Sequence, residues 1–161
     1  MFEIRRAVEE DKPQVWEIIK KVISTGDTYV YKPDSPKEKM LEYWFAADKK
    51  TYVALYENAI VGTFYLKDNQ PDSGSHIGNA GYMVAPEAKG KRVGKTMAEY
   101  SLQEARRLGY KAMQFNFVVK SNEIAVKLWQ SLGFQIIGEI PEAFDHAENG
   151  LTNAYIMYRK L

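Results

Sequence analysis

Between Tyr82 and Gly109 the sequence YMVAPEAKGKRVGKTMAEYSLQEARRLG passes from an apolar strand into an amphipathic helix, through a turn that contains Pro86, Gly90 and Gly94. The helix carries Met97, Leu102, Ala105 and Leu108 on one face and stops at Gly109. A strand that ends at a proline and turns through glycines into a helix points several backbone N–H groups, and the positive end of a helix dipole, at one place. That place is an anion site. Lys89, Lys91, Arg92 and Lys95 put four positive charges within seven residues around it, which suits a polyphosphate better than a lone carboxylate. The competing reading is an ordinary solvated helix start with surface lysines.

The rest of the chain is read around this unit. Phe2 to Val8 is a short strand, and Glu9, Glu10 and Asp11 followed by Pro13 suit a helix N-terminus. That helix has Val15, Ile18, Ile19, Val22 and Ile23 at three- and four-residue spacings. Ser24 to Ser35 has no periodicity and gathers Gly26, Asp27, Pro33 and Asp34 around Tyr29 and Tyr31, so it is a loop. Ser35, Pro36 and Glu38 form a capping-box pattern opening a second helix through Met40, Leu41, Trp44 and Phe45. TYVALYE and IVGTFYL, separated by Asn58 and Ala59, alternate with period two and predict an antiparallel hairpin. A strand from His76 leads into Val84. Beyond Gly109 come a strand over Ala112 to Val119, a helix capped by Ser121 or Asn122 that ends at Gly133, and strands over Phe134 to Ile140 and Thr152 to Tyr158. Phe144, Asp145, His146 and Gly150 fall in the loop between those last two strands. The order is β-α-α-β-β-β-α-β-α-β-β, without repeats, in one domain over residues 1–161.

Composition narrows the function classes. At 161 residues, 45% apolar and 27% charged, the chain has the make-up of a soluble globular protein. A formal charge of +1 gives no long-range field for nucleic acid or an acidic membrane, so neither is expected as a partner. The absence of cysteine excludes disulfides, thiolate metal sites and a cysteine nucleophile, and agrees with a reducing compartment. The mixed charges of MFEIRRAVEEDK leave no signal-peptide core, and no stretch is long and apolar enough to span a bilayer. The expected location is the cytoplasm. His76 and His146 lack the close spacing of metal ligands and are read as surface or loop residues, so no metal is expected. Trp16, Tyr43, Trp44 and Phe45 lie in amphipathic helices and are read as core.

Two phosphate-binding patterns compete for the turn. Gly94-Lys95-Thr96 matches the end of a nucleotide P-loop, but that pattern needs glycine where Lys89 stands, and AMQFNFVV offers no acid to hold magnesium. The run Val84 to Met97, joined to Asn122-x-x-Ala125-x-x-Leu128-Trp129-x-x-x-Gly133-Phe134, instead resembles the GCN5-related N-acetyltransferase (GNAT) family. In that family a Q/R-x-x-G-x-G/A loop holds the coenzyme A pyrophosphate by backbone amides. A second pattern, N-x-x-A-x-x-L-Y-x-x-x-G-F, contacts the pantetheine and thiol. The resemblance implies a mixed α/β fold: a mostly antiparallel central sheet of about seven strands with helices on both faces. It implies acetyl-CoA as cosubstrate, held by Met83, Val84, Lys89, Gly90, Lys91, Arg92, Val93, Gly94, Lys95, Thr96, Asn122, Ala125, Leu128 and Trp129. Three positions depart from it. Lys89 replaces Gln or Arg, Arg92 replaces the first motif glycine, and Trp129 replaces a tyrosine that hydrogen-bonds or protonates the leaving thiolate. At Arg92 the loop needs an ordinary right-handed backbone if a Cβ is not to crowd the phosphate.

The same resemblance implies transfer of an acetyl group to an amine by direct attack through a tetrahedral intermediate, with the Val84 N–H facing the oxyanion. GNAGYMV and MQFNFVVxxN are similar to a branch that includes yeast enzymes acetylating proline-ring analogues, which implies that Asn79 and Asn116 contact a small substrate, an amino acid or analogue. Both asparagines read equally well as strand-end residues satisfying nearby backbone groups. Tyr29 and Tyr31, aromatic residues without a helix stripe to join, suggest a substrate lid. The general base is open among Glu87, Asp27, Asp145 and His146, with Tyr29, Tyr31 and Tyr82 as relays through water. A homodimer is expected. The alternative function is an acetyl-CoA-binding sensor or interaction module.

Overall fold

The computed structural model describes residues 1–161. In chain order it contains β1 (Phe2–Arg6), α1 (Lys12–Ile23), α2 (Lys37–Trp44), β2 (Lys49–Tyr56), β3 (Ala59–Asp68), β4 (Ile77–Val84), α3 (Val93–Arg107), β5 (Ala112–Val119), α4 (Glu123–Ser131), β6 (Gln135–His146) and β7 (Gly150–Lys160). The strands form one seven-stranded sheet in the order β1-β2-β3-β4-β5-β7-β6. Every pairing is antiparallel except β4 with β5. Those two strands touch only at Ile77↔Ala112 and Gly78↔Met113, then part.

Period-two alternation sends successive β3 side chains to opposite faces of the sheet. Thr63 receives the Trp44 indole N–H of α2 at 3.0 Å, and Tyr65 packs on Trp44 with ring centroids 4.9 Å apart. On the other face a Cβ at Gly62 would lie 2.8 Å from Met97 Sδ of α3, so glycine there lets α3 seat closely. Helices therefore cover both faces. A single cluster of 29 buried residues fills the two layers, with Ile19, Met40, Trp44, Phe64, Met83 and Met97 fully buried in it. No helix is long and apolar enough to cross a membrane.

Local departures from the sequence reading have physical causes. The β2–β3 turn is Glu57-Asn58 rather than Asn58-Ala59. Both residues have positive φ, 50° and 68°, which matches the twist of a two-residue hairpin, and Ala59 already pairs with Tyr56. Ser35 does not cap α2. Its hydroxyl donates to Lys32 O at 2.7 Å, and extended Pro36 stands at the helix start without a side-chain cap. The segment read as a loop between the last two strands is a long hairpin, in which Phe144, Asp145 and His146 pair with Thr152, Leu151 and Gly150. His146 is buried rather than on the surface, and its Nδ1 accepts the Glu148 and Asn149 N–H groups at 3.0 and 3.1 Å, fixing the tip.

Candidate active site

The separation of β4 from β5 creates the site. Ala85 N–H donates to Val61 O at 2.8 Å, and antiparallel pairing alternates, so the Val84 and Tyr82 amides face away from β3 towards the gap. A side chain partly fills it: the Tyr29 hydroxyl accepts the Tyr82 N–H at 2.9 Å and donates to Tyr82 O at 2.6 Å. Above this bridge no side chain takes the Val84 N–H.

A cavity of about 400 Å³ passes through the gap. On the α3–α4 side it is lined by Gly94, Asn122, Ala125, Leu128 and Trp129, and on the α2 side by Tyr29, Tyr31, Tyr43 and Tyr65, with Asn79, Tyr82, Val84 and Asn116 between. Of the predicted cofactor residues Val84, Gly94, Asn122, Ala125, Leu128 and Trp129 line it, together with the predicted substrate residues Tyr29, Tyr31, Asn79 and Asn116. Met83 does not reach it, because its side chain is buried on the α2 side of the sheet and its neighbour on β3 is Thr63. Lys89 to Val93, Lys95 and Thr96 form the approach to it rather than its wall.

That approach is a cradle of unbonded donors. Lys89 and Lys91 N–H donate to Pro86 and Ala88 O, and Thr96 N–H to Arg92 O, but the amides of Gly90, Arg92, Val93, Gly94 and Lys95 have no protein acceptor. Gly90 has φ +87° in open space. Arg92 is left-handed, φ 62° and ψ 25°, which corrects the right-handed backbone expected for it. A non-glycine residue there carries on the order of 1 kcal/mol of strain, and the turn accepts it because the left-handed residue swings successive N–H groups to one side.

Trp129 is 7% exposed and packs on Tyr82, Phe115 and Phe134 at 4.9, 4.4 and 5.4 Å. Its indole N–H has no protein acceptor, and no buried side-chain polar atom lacks a partner, so the indole nitrogen is not sealed from solvent, and the residue lines the cavity. Asn122 caps α4, its Oδ1 accepting Ala125 N–H at 3.4 Å. Asn79 Oδ1 accepts the next amide, Ala80 N–H, at 2.7 Å, and Asn116 bonds to Asn69 and Gln114. Both asparagines therefore satisfy neighbouring groups while lining the cavity.

The cavity wall contains no Asp, Glu, His, Lys or Arg. Glu87 is exposed and paired with Lys21 at 3.1 Å, while Asp27 and His146 line an adjoining cavity that shares Thr28, Asn122 and Ile124 with the first. The Tyr82 hydroxyl is held 2.7 Å from Ser101 Oγ, so a relay through it lies off the cavity, and burial raises its pKa. Tyr43 and Tyr65, which line the wall, were not legible as site residues. Tyr43 sits in the apolar stripe beside Trp44, and only the packing of α2 on β3 brings its hydroxyl within 3.2 Å of Tyr65's.

The model of the acetyltransferase (GNAT) family matches residues 15–134. A GCN5-related N-acetyltransferase from Kribbella flavida has the same fold with a TM-score of 0.93 and 36% identity, over 99% of this chain and 98% of that one. N-acetyltransferase aca1 of Schizosaccharomyces pombe is 35% identical over 112 residues, 69% of this chain and 54% of the relative; the chain thus spans about half the length of that curated relative. The fold also matches yncA of Salmonella typhimurium, a putative acetyltransferase solved with its cofactor acetyl-CoA, at a TM-score of 0.86 and 20% identity, over 100% and 94% of the two chains.

Proposed function

The chain belongs to the acetyltransferase (GNAT) family, and from that premise we propose that it moves an acetyl group from acetyl-CoA to the amine of a small molecule such as an amino acid or analogue. The observation that carries this reading is the cavity through the β4–β5 gap, which opens to the unbonded amides on one side and to the tyrosines on the other. Two substrates approaching from opposite faces meet at Val84.

Coenzyme A fits the residues present. Its pyrophosphate suits the amides of Gly90 to Lys95, with Lys89 and Arg92 free of ion pairs nearby, and its pantetheine amides suit the open edge of β4. Acetyl-CoA supplies a thioester whose carbonyl is open to attack by a neutral amine. The Val84 N–H is a fixed donor for the oxyanion of the tetrahedral intermediate, needing no reorganisation because β3 already holds its strand. Tyr29 and Tyr31 wall the acceptor side, with Asn79 and Asn116 offering polar contacts there. Mixing the protein with acetyl-CoA and a panel of amines tests this reading, with free thiol released only when a particular amine is present as the expected result. Acetyl-CoA binding without amine-dependent thiol is the outcome of a sensor. Action as a cytoplasmic homodimer belongs to the same reading, supported by exposed Ile136, Ile137 and Ile140 on edge strand β6 and by the absence of cysteine.

Trp129 is expected to donate a hydrogen bond to the sulfur without acting as an acid, since indole does not give up its proton near neutral pH. Trp129→Phe should lower turnover several-fold, about 1 kcal/mol, where loss of true acid catalysis costs about 100-fold or more. Measured beside acetyl-CoA affinity, a 100-fold loss of turnover with unchanged binding would give the tryptophan a catalytic role.

A further inference from the structure

We propose that the Tyr43 phenol is the catalytic base of this site, the group that takes the proton from the attacking amine. The inference rests on the transfer reading and adds what that reading lacks, a proton acceptor in the cavity. With no carboxylate or imidazole in the wall, the titratable groups there are tyrosines 29, 31, 43, 65 and 82. Tyr29 is committed to the Tyr82 backbone and Tyr82 to Ser101, which leaves the cluster of Tyr31, Tyr43 and Tyr65. Within it Tyr43 is central, its ring 5.2 Å from Tyr31 and 6.1 Å from Tyr65 and its hydroxyl paired with Tyr65's.

What distinguishes Tyr43 is the cation behind it. Lys49 at the start of β2 has a side chain only 3% exposed, and its Nζ lies over the Tyr43 ring, 4.0 Å from the centroid and 5.4 Å from that of Tyr65. Asp48 pairs with Lys49 at 3.2 Å and with Lys67 at 3.3 Å, so two ammonium groups face the cluster against one carboxylate. A positive charge on the ring face favours the phenolate. Burial alone pushes Tyr43 up, but the hydroxyls of Tyr31 and Tyr65 and the charges of Lys49 and Lys67 outweigh it and leave Tyr43 below the ordinary tyrosine value. Tyr31 and Tyr65, for which burial dominates, are both pushed up.

In the step, the Tyr43 phenolate oxygen takes a proton from the alkylammonium and leaves a neutral amine. The nitrogen lone pair forms the C–N bond to the thioester carbonyl carbon. Collapse of the adduct breaks the C–S bond, and the proton remaining on nitrogen passes to the departing sulfur. The Tyr43 phenol then returns its proton to water, so each turnover is balanced.

The test compares wild type, Tyr43→Phe and Lys49→Met. Ultraviolet titration of tyrosinate reads the phenol without any substrate: the first tyrosine to ionise on raising the pH should be missing in Tyr43→Phe and shifted to higher pH in Lys49→Met. With the amine found by thiol release, kcat of Tyr43→Phe should fall about 100-fold or more while acetyl-CoA affinity holds. The rising limb of the pH–kcat profile should move up in Lys49→Met. A folded Tyr43→Phe that keeps its kcat within a few-fold overturns the inference. If Tyr43→Phe does not fold, Lys49→Met decides, and an unmoved limb overturns it. Either result leaves acetyl transfer standing. Absence of amine-dependent thiol release in the wild type overturns the transfer reading and the base with it.

Discussion

Replacing Gly94 by valine is expected to weaken acetyl-CoA binding about 100-fold while the protein keeps its fold. Gly94 is the second residue of α3 and lines the cavity, and its amide is one of five without a protein acceptor. A Cβ built there touches only Val84 Cγ2, at 3.7 Å, so the folded chain accepts a side chain. In the proposed binding mode the added methyls enter the space that the phosphates and pantetheine would need in order to reach those amides. Hydrogen bonds to charged groups are worth about 1.5–3 kcal/mol each, so losing one or two gives roughly 3 kcal/mol, or two decades in Kd. Two controls separate binding from folding. Gly94→Ala should raise helix stability by about 0.5–1 kcal/mol and still bind less tightly. Thr96→Ala should change little, because the Thr96 hydroxyl already donates to Arg92 O at 2.9 Å. Calorimetric titration with acetyl-CoA gives the three constants, and an unchanged Kd in Gly94→Val would remove the main support for the cradle.

What the sequence revealed and what it hid divide along the range of the interactions. Gly109 and Gly133, at φ +92° and +89°, stop α3 and α4 where the glycines predicted, and Asn122 caps α4, because stop and cap signals act within a few residues. The last hairpin was misread for an equally local reason. Pro141 and Glu142, the latter at φ 49°, sit in a bulge between Ile140 and Phe144 that breaks the alternation a strand is recognised by. Arg92 shows the limit of a residue-type rule: the turn demands a left-handed residue, and this chain meets that demand without glycine. The tyrosine end of the cavity was the least legible part. Trp44, Tyr43 and Tyr65 follow core periodicity, and a Cβ at Gly81 would lie 2.7 Å from the Tyr65 ring, so it is the close approach of β3, β4 and α2 that turns those aromatics into a cavity wall. Contacts between elements distant in sequence leave no periodic trace in any one of them.

The second large effect is expected at Tyr29, where a single oxygen is removed. In Tyr29→Phe the ring keeps its packing against Trp44 and Tyr31, at 6.4 Å each, while Tyr82 N–H and C=O lose the partner that bridges them. β5 has already left β4 at this height, so no strand can replace the hydroxyl. Leaving a buried polar group unpaired costs about 1–3 kcal/mol, and because the gap opens on the cavity, water recovers part of that. A net loss of about 1–2 kcal/mol lowers the melting temperature of a chain this size by roughly 2–8 °C. Turnover should fall as well, since the bridge fixes the strand two residues before the Val84 amide and small misplacements of such donors are costly. Tyr31→Phe is the comparison. Its hydroxyl holds no backbone group, so its melting temperature should stay at the wild-type value while the amine KM changes. A Tyr29→Phe protein that melts with the wild type would mean that the hydroxyl bridge contributes nothing to holding β4 open, and that α1, α3 and β3 alone keep Val84 facing the gap.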